Sequence, residues 1–206
     1  MKKLLTAVLL IVTPFVLSAE TVSPQEVSTA KSLTVDTASN MWSEPRPVTA
    51  PGLSNAYQLS PLLYRGAQPS KKGYRSLAER GVKAVISFRT KKPNTKYLNE
   101  LGLVSYHIPI NTFKFNNEHA RAFLKILAEQ PGPIYIHCYH GSDRTGTMTA
   151  LYRIVYEKWP REKALAEMKD KKFGFHGMFS NLVEYIRTVK VEDIVPSKKD
   201  VAETGE

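Results

Sequence analysis

The chain has 206 residues, of which 42% are hydrophobic and 10% aromatic, with one cysteine and a formal net charge of +10 at pH 7. This composition excludes a disordered chain and is typical of one globular domain with additional segments. The excess of Lys and Arg favours anionic partners such as phosphates, although a basic, solvated surface explains the charge equally well.

The first residues are typical of a secretory signal peptide. Lys2 and Lys3 precede an apolar run at 4–17, and the small side chain of Ala19 favours cleavage after it. The run is short for a membrane-spanning helix, although an uncleaved anchor is the alternative. We therefore expect residues 1–19 to be removed and the mature protein to be secreted to the periplasm, without a stable membrane anchor.

Composition divides the rest of the chain into a leader, one domain and a tail. Residues 20–51 are rich in Ser, Thr, Val, Ala and Pro and lack periodicity, which is typical of a flexible leader. Residues 52–192 carry the regular patterns of a folded domain, and residues 193–206 form a polar tail.

We expect this protein to be a monomer.

Strand and helix patterns alternate along the predicted domain. Strands are predicted at 62–66, 82–88, 103–110 and 133–138. Helices are predicted at 73–81, 95–102, 116–130, 145–159, 160–169 and 178–189. This alternation predicts an α/β fold, a doubly wound sheet dominated by parallel strands with helices on both faces. In such sheets ligands bind at the carboxyl ends of the strands.

The single cysteine, Cys138, lies in one of the strand-to-helix loops, residues 138–144. Because a lone cysteine cannot form an internal disulfide, it is either a buried small hydrophobe or a reactive thiol. Backbone N–H groups of such a loop can form an anion-binding nest, and Gly141 would ease the turn. Arg144 offers two donors to a phosphate, and a thiolate beneath that phosphate can form a phosphocysteine that water hydrolyses.

The residues HCYHGSDRTG, at 137–146, resemble the protein tyrosine phosphatase signature, in which His-Cys is followed by five residues and then by Arg, Ser or Thr, and Gly. Segments 62–70, 81–89 and 134–156 are similar to the small, dual-specificity branch of that superfamily, notably its secreted bacterial members. The resemblance implies a doubly wound α/β phosphatase domain that uses no metal and no other cofactor.

The resemblance also implies a role for each residue of the signature. Cys138 would be the nucleophile, Arg144 would hold the phosphoryl oxygens, and the Thr145 hydroxyl would help the thiolate to leave. His137 would orient the loop from behind. The residues between Cys138 and Arg144 that would contact the substrate are Tyr139, His140, Gly141 and Ser142.

Two other site classes are weaker interpretations of the same residues. His137, Cys138 and His140 are too closely spaced for the usual zinc patterns, and no second cysteine is present. The chain has no recognisable nucleic-acid-binding module, so we expect a phosphorylated small molecule or phosphoprotein as substrate and no nucleic acid.

The sequence departs from the family pattern at the general acid. The family supplies an Asp from a loop before the cysteine, but the corresponding segment here, 109–120, contains no Asp. Asp143 and Glu118 are the two candidates, although Asp143 could equally shape the loop through hydrogen bonds. The missing Asp is also compatible with a phosphate-binding pseudophosphatase, although the intact Cys138 favours an enzyme.

Basic residues follow the predicted strands that flank the cysteine. Arg89, Lys91 and Lys92 follow one strand, Lys114 follows another, and Arg65 lies near the end of a third. A polyphosphorylated molecule needs more positive charge than a single phosphotyrosine, so this cluster favours an inositol polyphosphate. A protein tyrosine or dual-specificity substrate is the alternative, in which the lysines are ordinary solvated surface.

Overall fold

A six-stranded sheet lies at the centre of residues 44–195, the part of the chain that the computed structural model describes. The strands are β1 (Arg46–Pro47), β2 (Tyr57–Ser60), β3 (Leu63–Gly66), β4 (Ala84–Ser87), β5 (Val104–His107) and β6 (Ile134–His137). Their order in the sheet is β1-β2-β3-β6-β4-β5. The pairs β3–β6, β6–β4 and β4–β5 are parallel, whereas β1–β2 and β2–β3 are antiparallel.

Helices cover both faces of this sheet. They are α1 (Lys71–Glu79), α2 (Thr95–Glu100), α3 (Asn117–Glu129), α4 (Asp143–Val155), α5 (Arg161–Lys169) and α6 (Ser180–Thr188), with short 3-10 helices at Thr112–Lys114, Lys171–Phe173 and Val191–Asp193. None of the helices within residues 44–195 is long and apolar enough to cross a membrane. The predicted α/β fold with a parallel-dominated sheet is therefore confirmed.

Alternation along the strands explains why both faces are covered. Ile134 and Ile136 of β6 pack into a core that also contains residues of α3, α4, α5 and α6. Tyr135, between them, packs into a second core with residues of α1 and α2. Successive side chains of a strand point to opposite faces, so a strand that is apolar at every position requires helices on both sides.

The folded region extends beyond both predicted boundaries. β1 begins at Arg46, inside the predicted leader, because it pairs with β2 along the edge of the sheet. At the other end Ile194 is fully buried, beyond the predicted boundary at residue 192. The predicted signal peptide, and most of the predicted leader and tail, lie outside the described residues and stay predictions.

Candidate active site

Cys138 follows the central strand of the parallel part of the sheet. β6 lies between β3 and β4 and runs parallel to both, so its carboxyl end faces the loops that follow those strands. The connection from β6 to α4 comprises residues 138–142 and is here called the cysteine loop. Cys138 is 2% exposed. Helix α4 begins at Asp143, two positions before the predicted start at 145.

The backbone carbonyl groups of the cysteine loop point away from its centre. Four consecutive carbonyl oxygens, of residues 138–141, each accept a hydrogen bond from the surrounding scaffold. The pairs are His137 Nδ1 with Cys138 O at 2.9 Å, Gln68 N with Tyr139 O at 3.1 Å, Asn55 Nδ2 with His140 O at 3.0 Å and Arg65 Nη2 with Gly141 O at 2.9 Å.

This outward orientation determines where the amide groups point. In a trans peptide the C=O and the following N–H are antiparallel, so the N–H groups of residues 139–142 face the centre of the loop. Together with the amino-terminal end of α4, they form a concave set of donors suited to an anion. The predicted anion-binding nest is thus supported by the hydrogen bonds of its outer side.

Gly141 is required by the packing of the loop. Its φ is +77°, in the left-handed region that favours glycine. A Cβ at this position would lie 2.4 Å from the carbonyl carbon of Gly66 and 2.6 Å from the amide nitrogen of Ala67. The loop can therefore approach the end of β3 only because residue 141 has no side chain.

Arg144 lies on α4 and reaches the ends of the neighbouring strands. Its Nη1 is 3.4 Å from the Phe88 carbonyl oxygen and 3.3 Å from that of Ile110, to which it donates. These carbonyls follow β4 and β5. The two contacts hold one side of the planar guanidinium, which is the requirement for presenting a fixed pair of donors to a phosphate.

Two polar side chains of the signature, those of His137 and Thr145, are buried. The Thr145 hydroxyl is fully buried and has no hydrogen-bond partner within residues 44–195. The role predicted for this hydroxyl toward the cysteine sulfur stays a prediction. His137 is also fully buried, and burial lowers its pKa to about 4, so the ring is neutral. A neutral ring that faces the Cys138 carbonyl carries its proton on Nδ1 and donates it there.

Asp143 is tied to a residue that the sequence did not single out, His176. One carboxylate oxygen of Asp143 accepts from the His176 backbone N–H at 2.8 Å, and the other lies 2.9 Å from ring atom Nδ1. The two contacts hold the segment that carries His176 against the start of α4. Glu118, the other acid candidate, is exposed in the first turn of α3.

A series of neighbouring rings, all exposed except the half-buried Phe179, forms what is here called the mouth of the cysteine loop. Tyr139 is 55% exposed, with its ring 4.7 Å from that of His140. The His140 ring lies 5.9 Å from the His176 ring, and Phe179 and Phe113 continue the series at 6.4 and 5.1 Å. These residues come from three separate segments, so their proximity follows from the fold alone.

The predicted basic residues differ in burial and in their contacts. Arg89 lies with its guanidinium 5.0 Å from the centre of the Tyr139 ring, and its Nη1 donates to Gln68. Lys91, Lys92 and Lys114 are exposed in the loops after β4 and β5. Arg65 differs from the expectation, because it is fully buried beneath the loop rather than exposed at the rim.

The chain matches known phosphatases over most of its length. The family model described as "DSP-PTPase phosphatase fused to NAD+ Kinase" matches residues 39–183. A dual specificity protein phosphatase, TpbA of Pseudomonas aeruginosa, is 32% identical over 142 residues, which are 68% of this chain. The matched region spans 65% of the length of that curated relative.

Solved structures show the same fold. The crystal structure of P. aeruginosa TpbA is 32% identical and covers 73% of this chain and 92% of its own, with a TM-score of 0.64. A Cys-to-Ser form of TpbA in complex with pTyr is 29% identical and covers 79% of this chain and 96% of its own, with a TM-score of 0.64. The catalytic core of the PP-IP phosphatase SIW14 from S. cerevisiae is 19% identical and covers 76% and 95%, again at 0.64, which is a likeness of fold.

Proposed function

Because this chain belongs to the DSP-PTPase phosphatase family, we propose that it is a cysteine-dependent phosphomonoester hydrolase. One observation carries the proposal: four consecutive carbonyl groups around the buried Cys138 are turned outward by scaffold donors, which leaves the amides facing inward. A phosphate-binding protein would need that nest, but it would not need a thiol at its base.

The arrangement supports a two-step reaction. The Cys138 sulfur attacks phosphorus, an S–P bond forms, and the bond from phosphorus to the ester oxygen breaks. The leaving oxygen takes the electron pair and a proton from an acid, and the water of the second step returns a proton to that acid as it attacks. Water then attacks phosphorus, the S–P bond breaks, inorganic phosphate leaves and the electron pair returns to sulfur. The loop amides and Arg144 would stabilise the negative charge that the equatorial oxygens carry in both steps.

We assign phosphotyrosine, within a dual-specificity range, as the preferred substrate. The relative at 32% identity is a dual specificity protein phosphatase, and a Cys-to-Ser form of TpbA was crystallised with pTyr. In this chain the exposed rings of Tyr139 and His140, together with the half-buried Phe179, supply a surface on which an aromatic ester can pack. This reverses the order expected from the sequence, which placed inositol polyphosphate first.

Inositol polyphosphate remains the second candidate because of the charge at the mouth. Lys91, Lys92 and Lys114 are exposed after strands β4 and β5, which lie beside β6 on one side of the sheet. Exposed lysines that form no ion pair within residues 44–195 would attract a substrate that carries several phosphates. The similarity to SIW14 is one of fold and gives no further support to this substrate class.

Phosphate release from matched substrates tests both assignments. Wild type and Cys138→Ser are incubated with a phosphotyrosine peptide, the matching phosphoserine peptide and inositol hexakisphosphate. We expect the phosphotyrosine peptide to have the highest kcat/KM and Cys138→Ser to bind it without turnover. Leu62→Ala, an exposed change beside the amino-terminal end of β3, serves as the control.

The alternatives give different results in the same assay. Faster release from inositol hexakisphosphate would reverse the order of the two substrate classes. Binding of all three compounds without release by wild type would instead identify a pseudophosphatase. Release that persists in Cys138→Ser would contradict the nucleophile itself.

A further inference from the structure

Arg65 is a fully buried cation that forms no ion pair with Asp or Glu within residues 44–195. Its Nε and Nη1 atoms are buried without a hydrogen-bond partner among the same residues. Its Nη2 donates to the Gly141 carbonyl oxygen, and its guanidinium lies 4.1 Å from the centre of the Phe173 ring. One hydrogen bond and one ring contact therefore hold a buried full charge.

Arg153 shows how the same fold treats a buried arginine that is structural. It is equally buried, but its guanidinium is paired with Glu157 and with Glu167, the latter at 3.0 Å. Removing an unpaired charge from water costs far more than one hydrogen bond returns. Arg65 thus lacks the carboxylate partners that offset the burial of Arg153. A buried arginine at position 65 therefore needs another explanation.

The charged groups around Arg65 indicate which negative charge it can balance. Burial lowers the pKa of Arg65 to about 10, so the guanidinium is protonated at neutral pH. The groups whose charges act on it are Glu167, Cys138, Tyr57 and Arg153. Glu167 already accepts a hydrogen bond from Arg153 in an ion pair. Cys138 lies on the loop whose Gly141 carbonyl accepts from Arg65, so its thiolate is the anion that we expect this buried cation to stabilise.

The position of Arg65 places that charge beneath the nest. It pairs in register with Ile136, two residues before Cys138. The point that a Cβ would occupy at Gly146, in the first turn of α4, lies 3.9 Å from Arg65 Nη2. The guanidinium thus sits between β3, the cysteine loop and the start of α4, on the side of the loop opposite to its amides.

We propose that Arg65 is the buried counter-cation of this site, which fixes the Gly141 carbonyl and stabilises the Cys138 thiolate and the phosphoryl group above it. The inference rests on the proposed function and adds a positioning residue to it. It also explains why a buried charge without a carboxylate partner is tolerated, because the partner is the reacting anion itself.

The reactivity of Cys138 toward iodoacetamide tests this without any turnover. Cys138 is the single cysteine of the chain, so alkylation reports one thiolate. At about pH 6 we expect Arg65→Met and Arg65→Gln to be alkylated about tenfold more slowly than wild type, and Arg65→Lys, which keeps the charge, within about threefold of it. Met brings no polar group of its own into the core, so a second neutral variant is available where Gln prevents folding.

Tyr135→Phe is the matched control for a merely structural effect. It removes a buried hydrogen bond beside the same loop, from Tyr135 Oη to the Ala67 carbonyl oxygen at 2.8 Å, without changing any charge. We expect its alkylation rate to equal that of wild type. Cooperative thermal unfolding of each variant shows that the comparison is made between folded proteins.

Two results would overturn the inference. One is a folded neutral variant that is alkylated at the wild-type rate. The other is Arg65→Lys that is as slow as Arg65→Met, because the hydrogen bond to Gly141 and not the charge would then matter. A failure of the proposed function looks different: wild type would release no phosphate from any ester, whatever its alkylation rate.

Discussion

The cysteine loop separates two regions of opposite character, its scaffold and its mouth. On the scaffold side, Arg65 and His137 are fully buried, and each carbonyl of residues 138–141 has its own donor. On the mouth side, Tyr139 and Phe113 are more than half exposed, and each packs against one neighbouring ring, edge-on for Tyr139 and tilted for Phe113. The geometry for binding one phosphate is fixed by many contacts, whereas the surface that meets the rest of the substrate is fixed by few.

From this difference we expect substitutions in the scaffold and substitutions at the mouth to affect different kinetic properties. A change in the scaffold moves the amides and alters the reaction of every phosphate ester alike. A change at the mouth alters the choice between esters and leaves the chemistry intact. The predictions below test this division, beginning with the largest expected effect.

Gly141→Ala should have the largest effect, because its Cβ would meet backbone atoms of Gly66 and Ala67 at 2.4–2.6 Å. Neither backbone can yield without moving the loop amides. We expect kcat/KM to fall by about 10³-fold for every ester, since misplaced oxyanion donors cost about that much. Steady-state kinetics with two unrelated esters measure this loss.

Gly102→Ala separates backbone strain from the clash. Gly102 has a φ of +70°, but a Cβ there would have no neighbour within 4 Å. We expect a destabilisation of about 1 kcal/mol and unchanged kinetics. Equal kinetic losses in Gly141→Ala and Gly102→Ala would show that the contact with Gly66 does not hold the loop.

His137 should make the stability of the scaffold depend on pH. Burial lowers its folded-state pKa to about 4, below the ordinary 6.5. The unfolded chain therefore takes up a proton as pH falls below 6.5, while the folded protein does not. The contribution is present above pH 6.5 and is lost as pH falls toward 4, in total about 3 kcal/mol.

Chemical denaturation between pH 7 and pH 4 measures this slope in wild type and in His137→Gln, where we expect that contribution to be missing. His140→Gln, an exposed change in the same loop, should leave the wild-type slope unchanged. If instead His140→Gln flattened the profile, the contrast between scaffold and mouth would not hold for these histidines.

Asp143 and His176 lie at the border between the two regions. If this pair protonates the leaving oxygen, Asp143→Asn and His176→Gln should both slow the hydrolysis of phenyl phosphate by about 10²-fold, since acid catalysis is worth at least that. The rate with p-nitrophenyl phosphate should change far less, because its leaving group needs no proton. Glu118→Gln is the matched control. If only Glu118→Gln slowed the hydrolysis of phenyl phosphate relative to p-nitrophenyl phosphate, the acid would be Glu118.

The sequence predicted the sheet, the helices and the cysteine loop because their signals are local. The buried run before Cys138 and the glycine within the loop lie within a few residues of each other. The donors to the loop carbonyls escaped prediction, because Asn55, Gln68 and Arg65 precede the loop by about 70 to 85 residues and carry no periodic signal. His176 was missed for the same reason, since only the fold brings it to Asp143.

The edge of the sheet shows a second limit of local signals. β1 has two exposed residues and β2 has only two buried ones, and hydrogen bonds pair β1 with β2 and β2 with β3. Arg65 is the clearest case, since its sequence position beside a predicted strand end suggested an exposed basic rim. It is buried instead because both faces of β3 are covered, and its guanidinium packs over the Phe173 ring.

The smallest expected effect is at the mouth and distinguishes the two substrate classes. Lys91→Ala and Lys92→Ala should each lower kcat/KM for inositol hexakisphosphate by about threefold, because exposed charges are largely screened at physiological salt. The phosphotyrosine peptide, with one phosphate bound in the nest, should lose less than about twofold. Lys83→Ala is matched in charge and exposure but precedes β4, whereas Lys91 and Lys92 follow it. If Lys83→Ala lowered the same rate equally, net charge would explain the effect and the mouth would have no selective role.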